Sequence, residues 1–246
     1  MPKEELEQTL VLIKPDALKN SLTGYILSQL SEFHTGLRFA GSKIVHVSRM
    51  LADEHYAEHR GKVFFPGLIE FIMGKLQYPD EPEKRRVIAL VYQGPGAVQK
   101  IRDLVGPTNP HDAREKKPGS IRSLGTIVPI KDSAGKEIGS RMENLIHASA
   151  NAADAEREIK LWFEPADIPP FMHAYPVEPS RDHYYFREGK LSTSFEPGSI
   201  CLIAPGNLVW TSDMDVLRAL VAGKPGAYSL EAVAAKYLIN VSKETD

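Results

Sequence analysis

Asn144-Leu-Ile-His147-Ala-Ser149-Ala-Asn151, continued by Ala152-Ala-Asp-Ala-Glu-Arg-Glu158-Ile-Lys-Leu-Trp162-Phe163, is the stretch from which the rest of the chain can be read. Leu145 and Ile146 carry His147 to the end of an extended segment, and the small residues Ala148, Ser149 and Ala150 leave space beside its ring. Asn151 or Ser149 is placed to cap the helix that follows. In that helix Ala155, Ile159, Trp162 and Phe163 recur at the spacing of one buried face, and Glu158 lies where it can point back at the histidine. Neutral imidazole has a nucleophilic nitrogen near pH 7, its unperturbed pKa being ~6.5. A carboxylate accepting the other ring N–H would fix the tautomer and stabilise the cation formed on attack. Taken alone, a histidine behind two apolar residues is more often a core or capping residue, because only geometry establishes a nucleophile.

The 246 residues fit one large domain, or one ordinary domain plus an extension, and 42% hydrophobic with 25% charged residues is a globular composition. No apolar run approaches the ~20 residues of a membrane span, and the acidic start Met1-Pro-Lys-Glu-Glu-Leu-Glu is unlike a signal peptide. A cytoplasmic protein is expected. The lone Cys201 excludes an internal disulfide and a cysteine-based zinc site, and reads as a small buried hydrophobe. A net charge of −2 supplies no broad drive toward membrane or nucleic acid, so no specific nucleic-acid partner is expected.

Thr9-Leu-Val-Leu-Ile-Lys14, ended by Pro15-Asp16, reads as a buried strand whose lysine emerges at a turn. Residues 23–33, apolar at Ile26, Leu27, Leu30 and Phe33, predict an amphipathic helix, and residues 37–47 a second strand. Asp53-Glu-His55-Tyr56-Ala-Glu58-His59 contains His-x-x-Glu-His, two histidines a helical turn apart beside a carboxylate; a zinc hydrolase through His55 and His59 is one reading, a polar helix face the other. In Phe64-Phe65-Pro66-Gly67-Leu68 the aromatics precede a turn. Such residues are mostly core, but one that reaches the surface can stack on any nucleobase.

Residues 79–86 form a charged, Pro-broken loop, and residues 87–92 the least ambiguous strand. The helix Ala97–Val105 turns Val98, Ile101 and Val105 inward and leaves Arg102 near Gly106-Pro-Thr108-Asn-Pro110. Arg114-Glu-Lys116-Lys117-Pro-Gly-Ser-Ile-Arg122 is the most basic loop. Residues 126–139, with a turn signal at Asp132-Ser-Ala-Gly135, predict a projecting hairpin. Neither Gly-x-x-x-x-Gly-Lys-[Ser/Thr] nor Gly-x-Gly-x-x-Gly occurs, which argues against a P-loop or Rossmann domain. Beyond a Pro-rich stretch, residues 199–203 predict a strand and residues 213–221 and 230–238 two helices, with Tyr184, Tyr185, Phe186 and Trp210 available for burial.

Asn-x-x-His-x-Ser followed by Ala-Glu-x-Glu-Ile-x-Leu-Trp-Phe resembles the active-site signature of the nucleoside diphosphate kinase family, with Ala148 in place of the usual Gly and Ala150-Asn151 in place of Asp-Ser. Ile-Lys-Pro-Asp at Lys14, His-Tyr before Phe-Phe-Pro-Gly-Leu, and Arg…Gly-x-Thr-Asn-Pro…Lys-Pro-Gly-Ser-Ile-Arg are similar to its other motifs, in order, over roughly residues 8–178. The resemblance implies an α+β fold, a ferredoxin-like antiparallel sheet covered by helices, in residues 1–178. Residues 179–246 are then a C-terminal α/β extension packed on that core or on a neighbouring subunit. It implies transfer of the γ-phosphoryl group from a nucleoside triphosphate to a nucleoside diphosphate through phospho-His147, with broad base tolerance. By the same resemblance Lys14 meets sugar and phosphate, Tyr56 hydrogen-bonds to or orients His147, and Phe64 and Leu68 clamp the base. Arg102, Thr108 and Arg122 converge on the phosphates, Asn144 contacts the sugar, and Ser149 and Glu158 support the nucleophile. Mg²⁺ would be bound through nucleotide phosphates rather than protein side chains, and the family's tetramers and hexamers imply a homo-oligomer. A catalytically silent nucleotide-binding scaffold is the other reading of the same fold.

Overall fold

The computed structural model describes residues 7–131 and 133–239, so the acidic start at residues 1–6 and the turn residue Asp132 lie outside it. In chain order the strands are β1 (Glu7–Ile13), β2 (Arg38–Val45), β3 (Val87–Gly94), β4 (Thr126–Lys131), β5 (Glu137–Glu143), β6 (Ile146–Ala148), β7 (Val177–Pro179), β8 (Tyr184–Arg187), β9 (Lys190–Ser192), β10 (Ile200–Ile203) and β11 (Leu208–Trp210). The α-helices are α1 (Pro15–Lys19), α2 (Thr23–Gln29), α3 (Glu32–Thr35), α4 (Arg49–His55), α5 (Phe65–Ile72), α6 (Ala97–Val105), α7 (Pro110–Lys116), α8 (Ala152–Trp162), α9 (Thr211–Val221) and α10 (Leu230–Ala234).

The central sheet is antiparallel throughout, in the order β2-β3-β1-β6, which is the ferredoxin-like arrangement. Its middle strand β1 is apolar at every position from Leu10 to Ile13 because both faces are covered. Successive side chains point to opposite faces of a strand. Leu10 and Leu12 therefore join one core layer with Leu51, Ile69, Ile159 and Trp162 of α4, α5 and α8. Val11 and Ile13 join the other with Ile26, Ile101 and Val105 of α2 and α6. The same alternation operates in β6, where Ile146 and Ala148 belong to the α2/α6 layer and His147, paired with Leu12, takes the opposite face. The nucleophile candidate is thus delivered to the side on which α4 and α8 pack.

The helix expected over residues 23–33 is interrupted. Ser31 leaves the helical region and its hydroxyl accepts the His34 N–H, which starts α3 afresh and turns Phe33 out to 92% exposure. Residues 79–86 form the expected loop, with one short 3₁₀ turn at Pro82–Lys84.

The predicted hairpin is β4–β5, paired from Thr126↔Glu143 inward and carrying exposed Ile130, Ile138 and Met142.

In the C-terminal segment β8, β9 and β10 form a three-stranded sheet. It shares a cluster of Tyr184, Phe186, Ile203, Met214, Leu217 and Val233 with α9 and α10. That cluster is joined to the sheet domain. Trp210, Ala235 and Ile239 enter the same core layer as Trp162, and Trp210 Nε1 donates to the Phe163 carbonyl at 2.7 Å. β7, which spans residue 178, pairs with β11. A fully buried Lys236–Asp213 ion pair, 2.9 Å long, stands at the joint. Cys201 corrects one expectation: it faces outward on β10, between Ile200 and the inward Leu202, and its thiol is exposed.

Candidate active site

His147 is held from three sides. Asn151 caps α8 by accepting the Asp154 N–H at 2.9 Å, and the helix then sets Ala155, Glu158, Ile159 and Trp162 on its buried face. Glu158 is therefore a buried carboxylate opposite β6, and its Oε2 lies 3.0 Å from His147 Nε2. Ser149 Oγ donates to the same oxygen at 2.7 Å and accepts the Leu10 N–H at 3.2 Å, which ties the carboxylate to β1. Burial alone would raise the Glu158 carboxyl. The charge and hydrogen bond of His147, with His55 and Ser149, outweigh it and hold the group at about 2. Glu158 is thus an anion that only accepts, so the His147 proton resides on Nε2 and the Nδ1 lone pair is free.

Immediately before this strand the backbone is strained. Leu145 is buried with φ at 69°, a region that costs a β-carbon residue roughly 1–3 kcal/mol. Asp16 Oδ2 accepts the Leu145 N–H at 2.8 Å while the Leu145 carbonyl accepts the Lys14 N–H at 2.9 Å, and the two bonds lock the kink to the end of β1.

Lys14, Thr108, Arg122 and Asn144 form one connected group. Lys14 Nζ, buried and 4.8 Å above the Phe71 ring, donates to Asn144 Oδ1, and Asn144 Nδ2 donates to the Thr108 carbonyl at 2.8 Å. Burial lowers Lys14 to about 8, against the raising effect of Asp16. Arg122 donates through Nη2 to the Ile146 carbonyl at 3.0 Å and through Nη1 to the Gly106 carbonyl at 3.1 Å, with the Thr108 hydroxyl at 3.4 Å. Burial, with Arg102 adding to it, pulls this guanidinium down to about 10. Arg122 thus anchors the strand that carries His147, while Arg102 is exposed and its guanidinium makes no hydrogen bond among the described residues. Gly106 has φ at 82°, and a Cβ there would collide with the Ser120 side chain.

Phe64 and Leu68 stand further out. A line of rings runs from His147 to Phe64: His147 to His55 at 4.6 Å, His55 to Tyr56 at 4.6 Å, Tyr56 to His59 at 6.2 Å, and His59 to Phe64 at 5.5 Å. Phe64 is 56% exposed and Leu68 half-buried, so the Phe64 ring is open to stacking from outside the protein. Two expectations change here. Tyr56 makes no hydrogen bond to His147; it packs on His55, which is the ring that touches His147. Its phenol is raised by burial, then by Glu158 and Asp16, and stays a protonated donor. The zinc reading fails as well. His55 Nδ1 accepts the Trp162 indole N–H at 3.1 Å, and His59 lies outside the one group of metal-capable side chains among the described residues, which is His55, His147 and Glu158.

The family model described as nucleoside diphosphate kinase matches residues 7–168. The Thermus thermophilus nucleoside diphosphate kinase is 40% identical over 163 residues, covering 66% of this chain and 99% of that protein. Among solved structures, the Aquifex aeolicus nucleoside diphosphate kinase superposes with a TM-score of 0.53 at 29% identity, covering 67% of this chain and 99% of the other. The Borrelia burgdorferi enzyme, a transition-state mimic with vanadate and ADP, gives 0.51 at 30% identity over 67% and 91%.

Proposed function

We propose a covalent route for a chain that belongs to the nucleoside diphosphate kinase family and moves a phosphoryl group from a nucleoside triphosphate to a nucleoside diphosphate: His147 carries the group between the two. The observation that carries this reading is the 3.0 Å bond from His147 Nε2–H to an anionic, buried Glu158. Nδ1 attacks the γ-phosphorus, the Nδ1–P bond forms, and the bond from phosphorus to the bridging oxygen breaks, its electron pair leaving with the diphosphate. The Nε2 proton stays on the ring, where Glu158 compensates the positive charge. An incoming diphosphate reverses the step, which makes the cycle ping-pong.

Such a transfer needs positioning and charge stabilisation more than covalent help. Arg102 is placed to give its fork to phosphate oxygens, Lys14 and Thr108 to hold them, and Arg122 to add charge while holding the β6 backbone. Lys14 and the two arginines are donors only and offer a metal no ligand. The donor set therefore fits Mg²⁺ arriving on the nucleotide, held through its phosphates and neutralising their charge. Phe64 and Leu68 clamp the base without reading its edges, and Asn144 orients the sugar.

Two further properties belong to this reading. β2 is an edge strand bearing exposed Phe39 and Ile44, a surface of the kind a second copy covers, which supports a homo-oligomer. The exposed thiol of Cys201 fits a reducing compartment, the cytoplasm.

Incubation with γ-labelled ATP tests the route. The wild-type chain should take up an acid-labile, base-stable label and pass it to a diphosphate, and H147A should do neither. A variant that labels and turns over normally would remove His147 from the mechanism. If Phe64 supplies only stacking, purine and pyrimidine triphosphates should differ by less than about tenfold in kcat/KM, roughly 1.4 kcal/mol; a thousandfold preference would require a base-edge reader.

A further inference from the structure

His55 is a buried group for which the phosphotransfer above has no use. Its Nδ1 accepts the Trp162 indole N–H at 3.1 Å, with both side chains buried. An indole nitrogen only donates, so Nδ1 holds a lone pair and the ring proton of neutral His55 sits on Nε2. Burial, reinforced by His147, pushes this imidazole down to about 3, so the ring is neutral wherever the enzyme works. Nε2–H is then a permanent donor of fixed orientation. It is buried and has no acceptor among the described residues, an arrangement that costs a fold stability.

Its surroundings say what it lacks. The His55 ring stands edge to face on His147, 4.6 Å between centroids at 77°. One nitrogen of each histidine and a Glu158 oxygen all lie within 4.8 Å of one another. A transition metal is not the missing partner. Ligation at Nε2 would drive the proton to Nδ1 and leave the Trp162 N–H without an acceptor, and Glu158 Oε2 already receives both His147 and Ser149. What does arrive beside His147 in the cycle is a set of phosphoryl oxygens, which accept strongly.

We propose that His55 Nε2–H, which has no protein acceptor among the described residues, is a hydrogen-bond donor to the phosphoryl group carried by His147 in the phosphoenzyme. The inference rests on His147 being the phosphorylated residue. His55 makes and breaks no covalent bond and keeps its proton throughout. Trp162 acts at one remove, as the residue that fixes the tautomer. A donor that bonds to the transferred group shifts the equilibrium of enzyme plus triphosphate toward phosphoenzyme plus diphosphate.

That equilibrium is the measurement. At fixed ATP/ADP ratios, the phosphorylated fraction of the full chain is read by intact mass. H55L, which lacks both acceptor and donor, should lower the equilibrium constant about tenfold. H55Q offers Trp162 a carbonyl and keeps an amide donor, and should stay within about threefold of wild type. Equal losses in both variants, or an H55L constant within twofold of wild type, would overturn the proposal. A second reading uses no variant and so stands if H55L does not fold. In wild-type protein labelled with ¹⁵N at histidine, the His55 Nε2–H proton should move downfield on phosphorylation, and an unmoved resonance overturns the proposal. A wild-type chain labelled elsewhere than His147 sinks the covalent route and this inference together. Labelling at His147 with an equilibrium indifferent to His55 sinks only the inference.

Discussion

Lys14 shows how burial tunes one residue for its ligand. A cation enclosed by protein is poorly solvated, and here the pKa sits at about 8 instead of 10.5. Because folded Lys14 binds its proton less tightly than unfolded Lys14, it weakens the fold below about 8, and that cost fades as pH rises toward 10.5. For the free enzyme the functional consequence has the opposite sense: above about 8 Lys14 loses the charge on which its proposed role toward phosphate depends. The profile of kcat/KM against pH, which reports the free enzyme, should fall with an apparent pKa near 8 in wild type. K14M should be lower throughout and lack that inflection; an unchanged inflection in K14M would assign it to another group. Glu158 was legible in the sequence because helix spacing sets it where it can face His147, whereas Lys14, at the end of an apolar strand, stood out only through the resemblance of Ile-Lys-Pro-Asp to a family motif. His55 was not legible. Its part depends on Trp162, 107 positions away, and on a tautomer that only a hydrogen bond reveals. The direct Tyr56–His147 bond failed for a related reason, since the ring preceding Tyr56 occupies the space against the nucleophile.

At the scale of elements, the hairpin β4–β5 grows from between two site residues, Arg122 and Asn144. Its foot is tight: a Cβ on Gly125 would run into the Glu143 carbonyl oxygen, and Arg114 Nη2 donates to the Gly125 carbonyl. Its outer strands, by contrast, are exposed. Gly125→Ala should therefore force the foot apart and move Asn144 relative to Arg122. The expected result is a KM for nucleotide several-fold higher and a loss of about 1–3 kcal/mol in urea unfolding. Replacing everything between Pro129 and Ser140 by an Asn-Gly turn should leave kcat/KM within about twofold. If the shortened hairpin loses activity by orders of magnitude, the tip itself takes part in the reaction. Turn residues at Asp132-Ser-Ala-Gly135 made the hairpin visible in advance, and short continuous apolar runs made β1 and β3 visible. The break between α2 and α3 was hidden, because Ser31 can sit within a helix or cap one, and the apolar spacing through Phe33 continued across it.

Across the described residues, the C-terminal segment shares a core layer with the central sheet through aromatic residues. Trp210, fully buried, fills the same layer as Trp162, and its indole N–H satisfies the Phe163 carbonyl at the end of α8. Composition alone showed that the C-terminal segment held too much apolar area to remain unpacked; which surface it covers was decided by contacts distant in sequence. Trp210, Asp213 and Lys236 are not among the groups of the candidate site, so the joint is expected to stabilise the sheet domain and leave the chemistry to it. Trp210→Ala removes a large core side chain, an effect of about 3–5 kcal/mol, and for a chain of this size each kcal/mol moves Tm by roughly 2–4 °C. A fall in Tm of about 6 °C or more is expected by calorimetry, with W210F intermediate because it keeps the ring but leaves the Phe163 carbonyl without its donor. Below the transition, label uptake on His147 from γ-labelled ATP should stay within about twofold, since Glu158 and Ser149 hold the nucleophile from α8 and β1. An unchanged Tm would mean that the C-terminal unit contributes little to the stability of the sheet domain. A folded W210A protein that no longer labels would mean that α8 needs this contact to place Glu158.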